Sequence, residues 1–310
     1  MHKPRSLVLL AASALVLAGC SSTTEPGAGD DAAIAVVATT NIYGSLVEQI
    51  GGDRVDVTSI ITSASQDPHS YEASARDRLT VQGADLVIEN GGGYDSFMDA
   101  LLEGPDAHVL SAVEFSHDFP GNEGHGEEHE GEDAGEHDHA EDDEHDHDDH
   151  EGHDHIDGFN EHVWFDPHTM IHVVAGIAEE LGEIDPDGAS EFTASADEII
   201  SELEGFEGDL EELAASADGT GVFITEPLPG YIAAAAGLTD LAPDGFASAV
   251  EEGSDVAPAT LLRALDAIES GEVVVVLTNA QTGGAETERI EQAAEAAGIP
   301  IVAFTELLEG

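Results

Sequence analysis

Residues 33–61 read AIAVVATTNIYGSLVEQIGGDRVDVTSII. The opening 33–38 is a short apolar, β-branched run, the pattern of a strand buried on both faces. Residues 41–50 read as a short helix capped by Thr40 or Asn41, and 55–61 as a second strand. The same alternation continues outward. A polar loop at 62–71 leads to a helix at 73–82, a strand at 85–89, a Gly91-Gly92-Gly93 turn, a helix at 94–102 and a strand at 107–110. Past an acidic run, Asp166 and Pro167 cap and open a helix to about residue 182. The longest uninterrupted helical pattern is 189–217, carrying Phe192, Ala196, Ile199, Ile200, Leu203, Leu210 and Leu213, with Gly205 and Gly208 weakening its middle. The second half then repeats the theme, with strands at 221–225, 273–278 and 300–304 and helices at 230–236, 258–268 and 286–297. The expected fold is α/β. Two lobes, each a parallel sheet flanked by helices, are joined by one long helix, with a ligand site in the cleft at the carboxyl ends of the strands.

Composition sets limits on function. The formal net charge is −60, with seven Lys and Arg against 67 Asp and Glu, so no basic stripe exists to neutralise phosphates and nucleic-acid binding is excluded. Acid-rich stretches at 179–215 and 244–310 contain only Arg263 and Arg289 as cations, a surface suited to salt that screens self-repulsion. The first residues form a basic patch (His2, Lys3, Arg5), then an apolar run at 7–18 too short to span a bilayer comfortably, then Leu17-Ala18-Gly19-Cys20. This matches a lipoprotein signal peptide over 1–20, with Cys20 acylated and 21–31 a flexible tether. The mature chain is then held at the outer face of a cell membrane through its lipid. Cys20 is the only cysteine, which rules out internal disulfides and thiolate zinc sites. The resulting partition is an N-terminal lobe at 32–188, a connecting helix at 189–217 and a C-terminal lobe at 218–310.

The segment 116–157 interrupts the first lobe with ten histidines, nineteen acidic residues and no Lys or Arg. It has no hydrophobic period and is expected to stay mobile. A plain solvated linker would be acidic without histidine at every second or third place, and neutral imidazole is a preferred ligand of zinc and related ions. Auxiliary metal binding is therefore expected at His125, His129, His137, His139, His145, His147, His150, His153 and His155. His117 opens the run. His168 and His172, four apart on a helix, have one-face spacing that could hold a further ion, although ordinary surface histidines would look the same.

Three places put ligand-type side chains just past strands or in adjoining loops: His69 in Asp67-Pro68-His69-Ser70-Tyr71, Glu226 in Thr225-Glu226-Pro227, and Glu306 in Phe304-Thr305-Glu306. His162 lies where order resumes after the acidic run. With D-P-H-S-Y-E at 67–72, N-E-H-V-W-F-D-P at 160–167, E-P-L-P-G-Y at 226–231, the histidine-acid insertion and the long helix, the chain resembles the metal-binding receptors of bacterial ABC importers, the ZnuA- and TroA-like group. The resemblance runs from about Ile34 to Glu306. It implies metal ligands at His69, His162, Glu226 and Glu306. Glu306 stands where the family commonly has the shorter Asp. The chain also stops at Gly310, without the terminal helix such proteins carry after that acid, so the C-terminal lobe is expected to be truncated.

Two imidazoles and two carboxylates suit zinc in a tetrahedral arrangement and manganese if the carboxylates bind through both oxygens. The histidine-rich insertion favours zinc, with manganese the alternative. The expected function is an extracytoplasmic lipoprotein, monomeric and not an enzyme, that captures one ion and delivers it to an ABC permease. A zinc hydrolase or a metal-storing or adhesive surface lipoprotein are the competing classes.

Overall fold

The computed structural model describes residues 33–104, 107–122, 156 and 158–308. The N-terminal half runs β1 (Ile34–Thr40), α1 (Asn41–Gly51), β2 (Val55–Ile61), α2 (Ala75–Val81), β3 (Leu86–Glu89), α3 (Phe97–Leu102), β4 (His108–Ser111) and α4 (Pro167–Ile184). The long helix α5 (Ala189–Ala217) follows. The second half is β5 (Thr220–Ile224), α6 (Gly230–Ala235), β6 (Leu238–Asp240), α7 (Phe246–Glu251), α8 (Pro258–Glu269), β7 (Val273–Asn279), α9 (Ala285–Ala297) and β8 (Ile301–Phe304).

Each half contains one four-stranded sheet, ordered β2-β1-β3-β4 and β6-β5-β7-β8, with every pairing parallel. Covering both faces explains why β1 is apolar at nearly every position. Ile34, Val36 and Ala38 pack with residues of α1, α4 and α5, while Val37 packs with Val81, Val87, Met98 and Leu101 on the opposite face. The second sheet divides the same way, Phe223 and Val276 on one side, Val222, Ile224 and Leu277 on the other. In both sheets the chain reverses direction of growth around the first strand. That produces a crevice at the carboxyl ends, where loops diverge to opposite faces.

The long helix packs on the N-terminal core through its first half, Ile199, Ile200 and Leu203 included, and is held again towards its far end. Phe192 and Ala196 are buried in the N-terminal core, and Arg54 bridges Asp185 and Glu191, both at 2.8 Å. Towards its other end Leu210 is buried, and Ala214 packs against Gly237 just past α6. Gly205 and Gly208 face open space, so their low helix propensity costs no packing. Leu213, expected on the apolar face, is 48% exposed.

Three elements differ from the sequence reading. The third helix starts at Phe97, because Gly91, Gly92 and Gly93 all take positive φ and the Asp95 carboxylate accepts the backbone N–H groups of Asn90 (2.7 Å) and Gly91 (2.8 Å). Strand β6 and helix α7 were not anticipated. At three and six residues they are shorter than the window over which a hydrophobic period can be read.

The two halves meet through specific contacts. Asn41 exchanges two hydrogen bonds with the Leu308 backbone (2.8 and 3.1 Å), Asn160 donates to the Pro227 carbonyl (3.1 Å), and the Tyr231 hydroxyl donates to the Asn160 carbonyl (2.8 Å).

Candidate metal centre

His69 is aimed by its own motif. Asp67 accepts the His69 N–H (3.0 Å) and the Ser70 hydroxyl (2.8 Å), and Pro68 opens a single 3-10 turn that directs the imidazole inward. Its ring meets Tyr94 edge-on at 4.9 Å between centroids and lies 5.9 Å from the ring of His162. His162 is 2% exposed, and its Nδ1 lies 2.8 Å from Asn160 Oδ1. With Nδ1–H donating to that oxygen, Nε2 carries the lone pair and could hold a metal. Asn160 is itself held across the cleft by its bond to the Pro227 carbonyl, which orients the amide oxygen that His162 meets.

The two carboxylates come from the other sheet. Glu226, directly after β5, accepts from the Thr282 hydroxyl (2.6 Å to Oε1) and from Asn279 Nδ2 (2.9 Å). Glu306, after β8, accepts from Asn279 Nδ2 (2.6 Å) and from the Tyr94 hydroxyl (3.3 Å). A single amide at the end of β7 thus ties both acids together. Gln281 adds to this by accepting the Glu306 N–H (2.6 Å) and the Leu307 N–H (3.2 Å), which pins the segment after β8. Burial pushes Glu226 above the usual carboxylate range and Glu306 up to about 7.

Ligand-type atoms converge in two overlapping groups, each spanning no more than 4.8 Å: Asp67, His69 and Glu306, and His69, His162 and Glu251. Of the four residues singled out in the sequence, three therefore enter these groups, and Glu226 is linked to Glu306 by two hydrogen bonds through Asn279. Glu251 was missed. Glu251 ends helix α7 with its side chain 11% exposed, its Oε1 buried without a hydrogen bond and 3.6 Å from His162 Nε2. Burial, then the charges of Glu161, Glu226 and Glu306, push it up to about 9. Nothing in the sequence marked it among the many acids of 244–310. Asn279, in the stretch 278–282 past a strand, is legible in sequence as lining the cleft or hydrogen-bonding in its loop, but not as a bridge between two acids. Such a concentration of buried carboxylates beside two imidazoles is electrostatically costly, and a divalent cation is the group that relieves it. Cys20 and the nine auxiliary histidines of the acidic run lie outside the described residues.

Comparison with known proteins places the chain in a family. Residues 36–309 match the model of the zinc-uptake complex component A, periplasmic family. The chain belongs to that family. Within it, the high-affinity zinc uptake system protein ZnuA of Paracoccus denitrificans is 33% identical over 251 residues, covering 77% of this chain and 72% of that protein. The manganese-binding lipoprotein MntA of Halalkalibacterium halodurans is 26% identical over 195 residues (63% and 54%), and the zinc-binding lipoprotein AdcA of Streptococcus pneumoniae 27% identical over 253 residues (80% and 46%). The chain thus spans about half the length of these last two curated relatives. Among solved structures, the periplasmic zinc-binding protein TroA of Treponema pallidum superposes with a TM-score of 0.65 at 19% identity, covering 90% of this chain and 91% of that one, and shares the two-lobed fold. Relatives with zinc and with manganese in their names are thus both similar to this chain.

Proposed function

We propose that this component A family member is the extracytoplasmic receptor of an ABC metal importer, binding one divalent transition-metal ion between its lobes and releasing it to a membrane permease. The ligands are His69, His162, Glu226 and Glu306, the ion is zinc, and the chain is monomeric and tethered by acylated Cys20. The observation that carries this reading is the shared donor Asn279, which holds Glu226 and Glu306 of one lobe opposite His69 and His162 of the other. Binding breaks no bond. The ion replaces protons on the raised carboxyls and draws the lobes together, and docking on the permease loosens the same contacts. The histidine-rich run supplies weak, fast-exchanging contacts that gather ions near the cleft. A hydrolase would need a ligand position left for water, whereas the proposed set supplies four protein ligands.

One observation favours manganese as a second reading. Glu251 places another oxygen donor 3.6 Å from His162 Nε2, and an oxygen-rich shell of higher coordination number suits manganese better than zinc. Competitive isothermal titration of the metal-free chain decides among these. One tight site preferring zinc, lost in His162→Ala, supports the receptor; tighter manganese than zinc at equal pH replaces the ion; many equivalent weak sites would mean a store.

A further inference from the structure

The described part of the acidic run folds back onto the N-terminal lobe and brings its first histidine to the two on α4. His117 and His168 have ring centroids 6.4 Å apart, and His168 and His172 5.1 Å apart. All three line an open cavity of about 410 Å³, together with Ser116, Asn122 and Glu179. Asn122 is the last described residue before the remainder of the histidine-rich run, and its side chain is fastened to the lobe by the Glu114 carbonyl (2.7 Å) and the Ser116 carbonyl (2.9 Å).

We propose that His117, His168 and His172 form a second binding site, on the surface of the N-terminal lobe, for a zinc-class divalent ion. Geometry supports this in three ways. First, His168 and His172 stand one turn apart on one helix face, the spacing that lets two imidazoles share an ion. Second, two rings bound tetrahedrally through nitrogens at about 2.0–2.1 Å have centroids roughly 5 Å apart. The His168–His172 pair already meets that spacing, and His117 reaches it by an inward movement of about 1 Å. Third, carboxylates stand behind the rings. Glu207 of α5 has Oε1 3.3 Å from His168 Nδ1, and Asp166 has Oδ2 4.0 Å from His117 Nδ1. On His168 this orients the ring and leaves Nε2 to bind, the arrangement that supports metal-bound imidazoles generally; His117 Nε2 lies 3.2 Å from Asp118 Oδ1, a contact that a bound ion would replace. The side chains of His117 and His168 are 52% and 57% exposed, so an ion reaches them without opening the lobes.

Three imidazole nitrogens with open access make a site of intermediate strength, tighter than single histidines and more exchangeable than the buried cleft. Its place at the root of the run, on the helix that begins five residues after His162, makes it a holding station between gathering and the cleft.

Histidine carbethoxylation of the full chain, quantified residue by residue by mass spectrometry with and without zinc chloride, tests this. Only an imidazole with a free lone pair reacts. The expected result is that zinc removes most of the reactivity of His117, His168 and His172 together, and that His168 regains it in His172→Ala at the same zinc concentration. Protection must also persist in His162→Ala, which separates this site from the cleft. Equal His168 reactivity with and without zinc, or protection that survives His172→Ala, overturns the proposal.

Discussion

Replacing Asn279 with leucine keeps the side-chain volume and removes the one donor shared by Glu226 and Glu306. Asn279 is 4% exposed, and its amide bonds are 2.9 and 2.6 Å long. A hydrogen bond to a charged group contributes about 1.5–3 kcal/mol, and a buried acceptor that loses its donor is not compensated by water. Glu226 keeps Thr282 and Glu306 keeps Tyr94, so the lower end applies to each and the sum is about 3 kcal/mol. The Asn279 Oδ1 bond to the Gln281 N–H (2.9 Å) is lost as well, and with it part of the hold on the backbone of Glu306. For a chain of this size the unfolding midpoint should fall by roughly 6–12 °C. Two loosened carboxylates should weaken zinc binding by about 10–100-fold, the usual cost of removing a partner that orients metal ligands. Circular-dichroism melts without metal and competition titrations with zinc measure the two effects separately. A variant whose midpoint is unchanged and whose zinc affinity stays within about threefold, under 1 kcal/mol, would refute the bridging role of Asn279.

Two further outcomes follow from other parts of the fold. Burial, then the charges of Asp95, Asp99 and Glu114, push Glu89 up to about 8. Its folded value lies above the unfolded one, so its contribution is fully present below about pH 4.5 and is lost as pH rises through about 8. Urea unfolding at pH 5 and pH 8 should therefore show the parent losing roughly 3 kcal/mol relative to Glu89→Gln, after discounting for partial solvent access; parallel curves for the two proteins would remove Glu89 from this role. Gly91→Ala should destabilise by about 2 kcal/mol, since its φ of 79° disfavours any side chain and a methyl would overlap Ser111 Oγ. An unchanged denaturation midpoint would show that the turn can rearrange.

Much of the fold was legible because it is local. The apolar run of β1, the Asp166-Pro167 start of α4 and the unbroken pattern of α5 each carry their structure within a few residues. Asp67-Pro68-His69 was legible for the same reason: cap, restricted φ and imidazole sit side by side. What the chain could not display along its length is which residues meet. Tyr94 and Glu306 are 212 positions apart, Asn41 and Leu308 are 267 apart, and their contacts exist only once both sheets have formed and the lobes have closed. Glu251 sits on a helix too short to show a period, in a stretch where acids are ordinary. Burial beside His162 singles it out, and burial is a property of the assembled cleft.

By itself, then, the sequence determined the α/β alternation, because propensity and capping act over one or two turns of chain, while the class of ligand and the four candidate residues came with the family resemblance. Only the tertiary structure decided that one asparagine joins two of those residues, that further acids crowd the same space, and that His117 comes to rest against His168 and His172. Electrostatics and coordination depend on distance in space, and a chain fixes such distances only by folding.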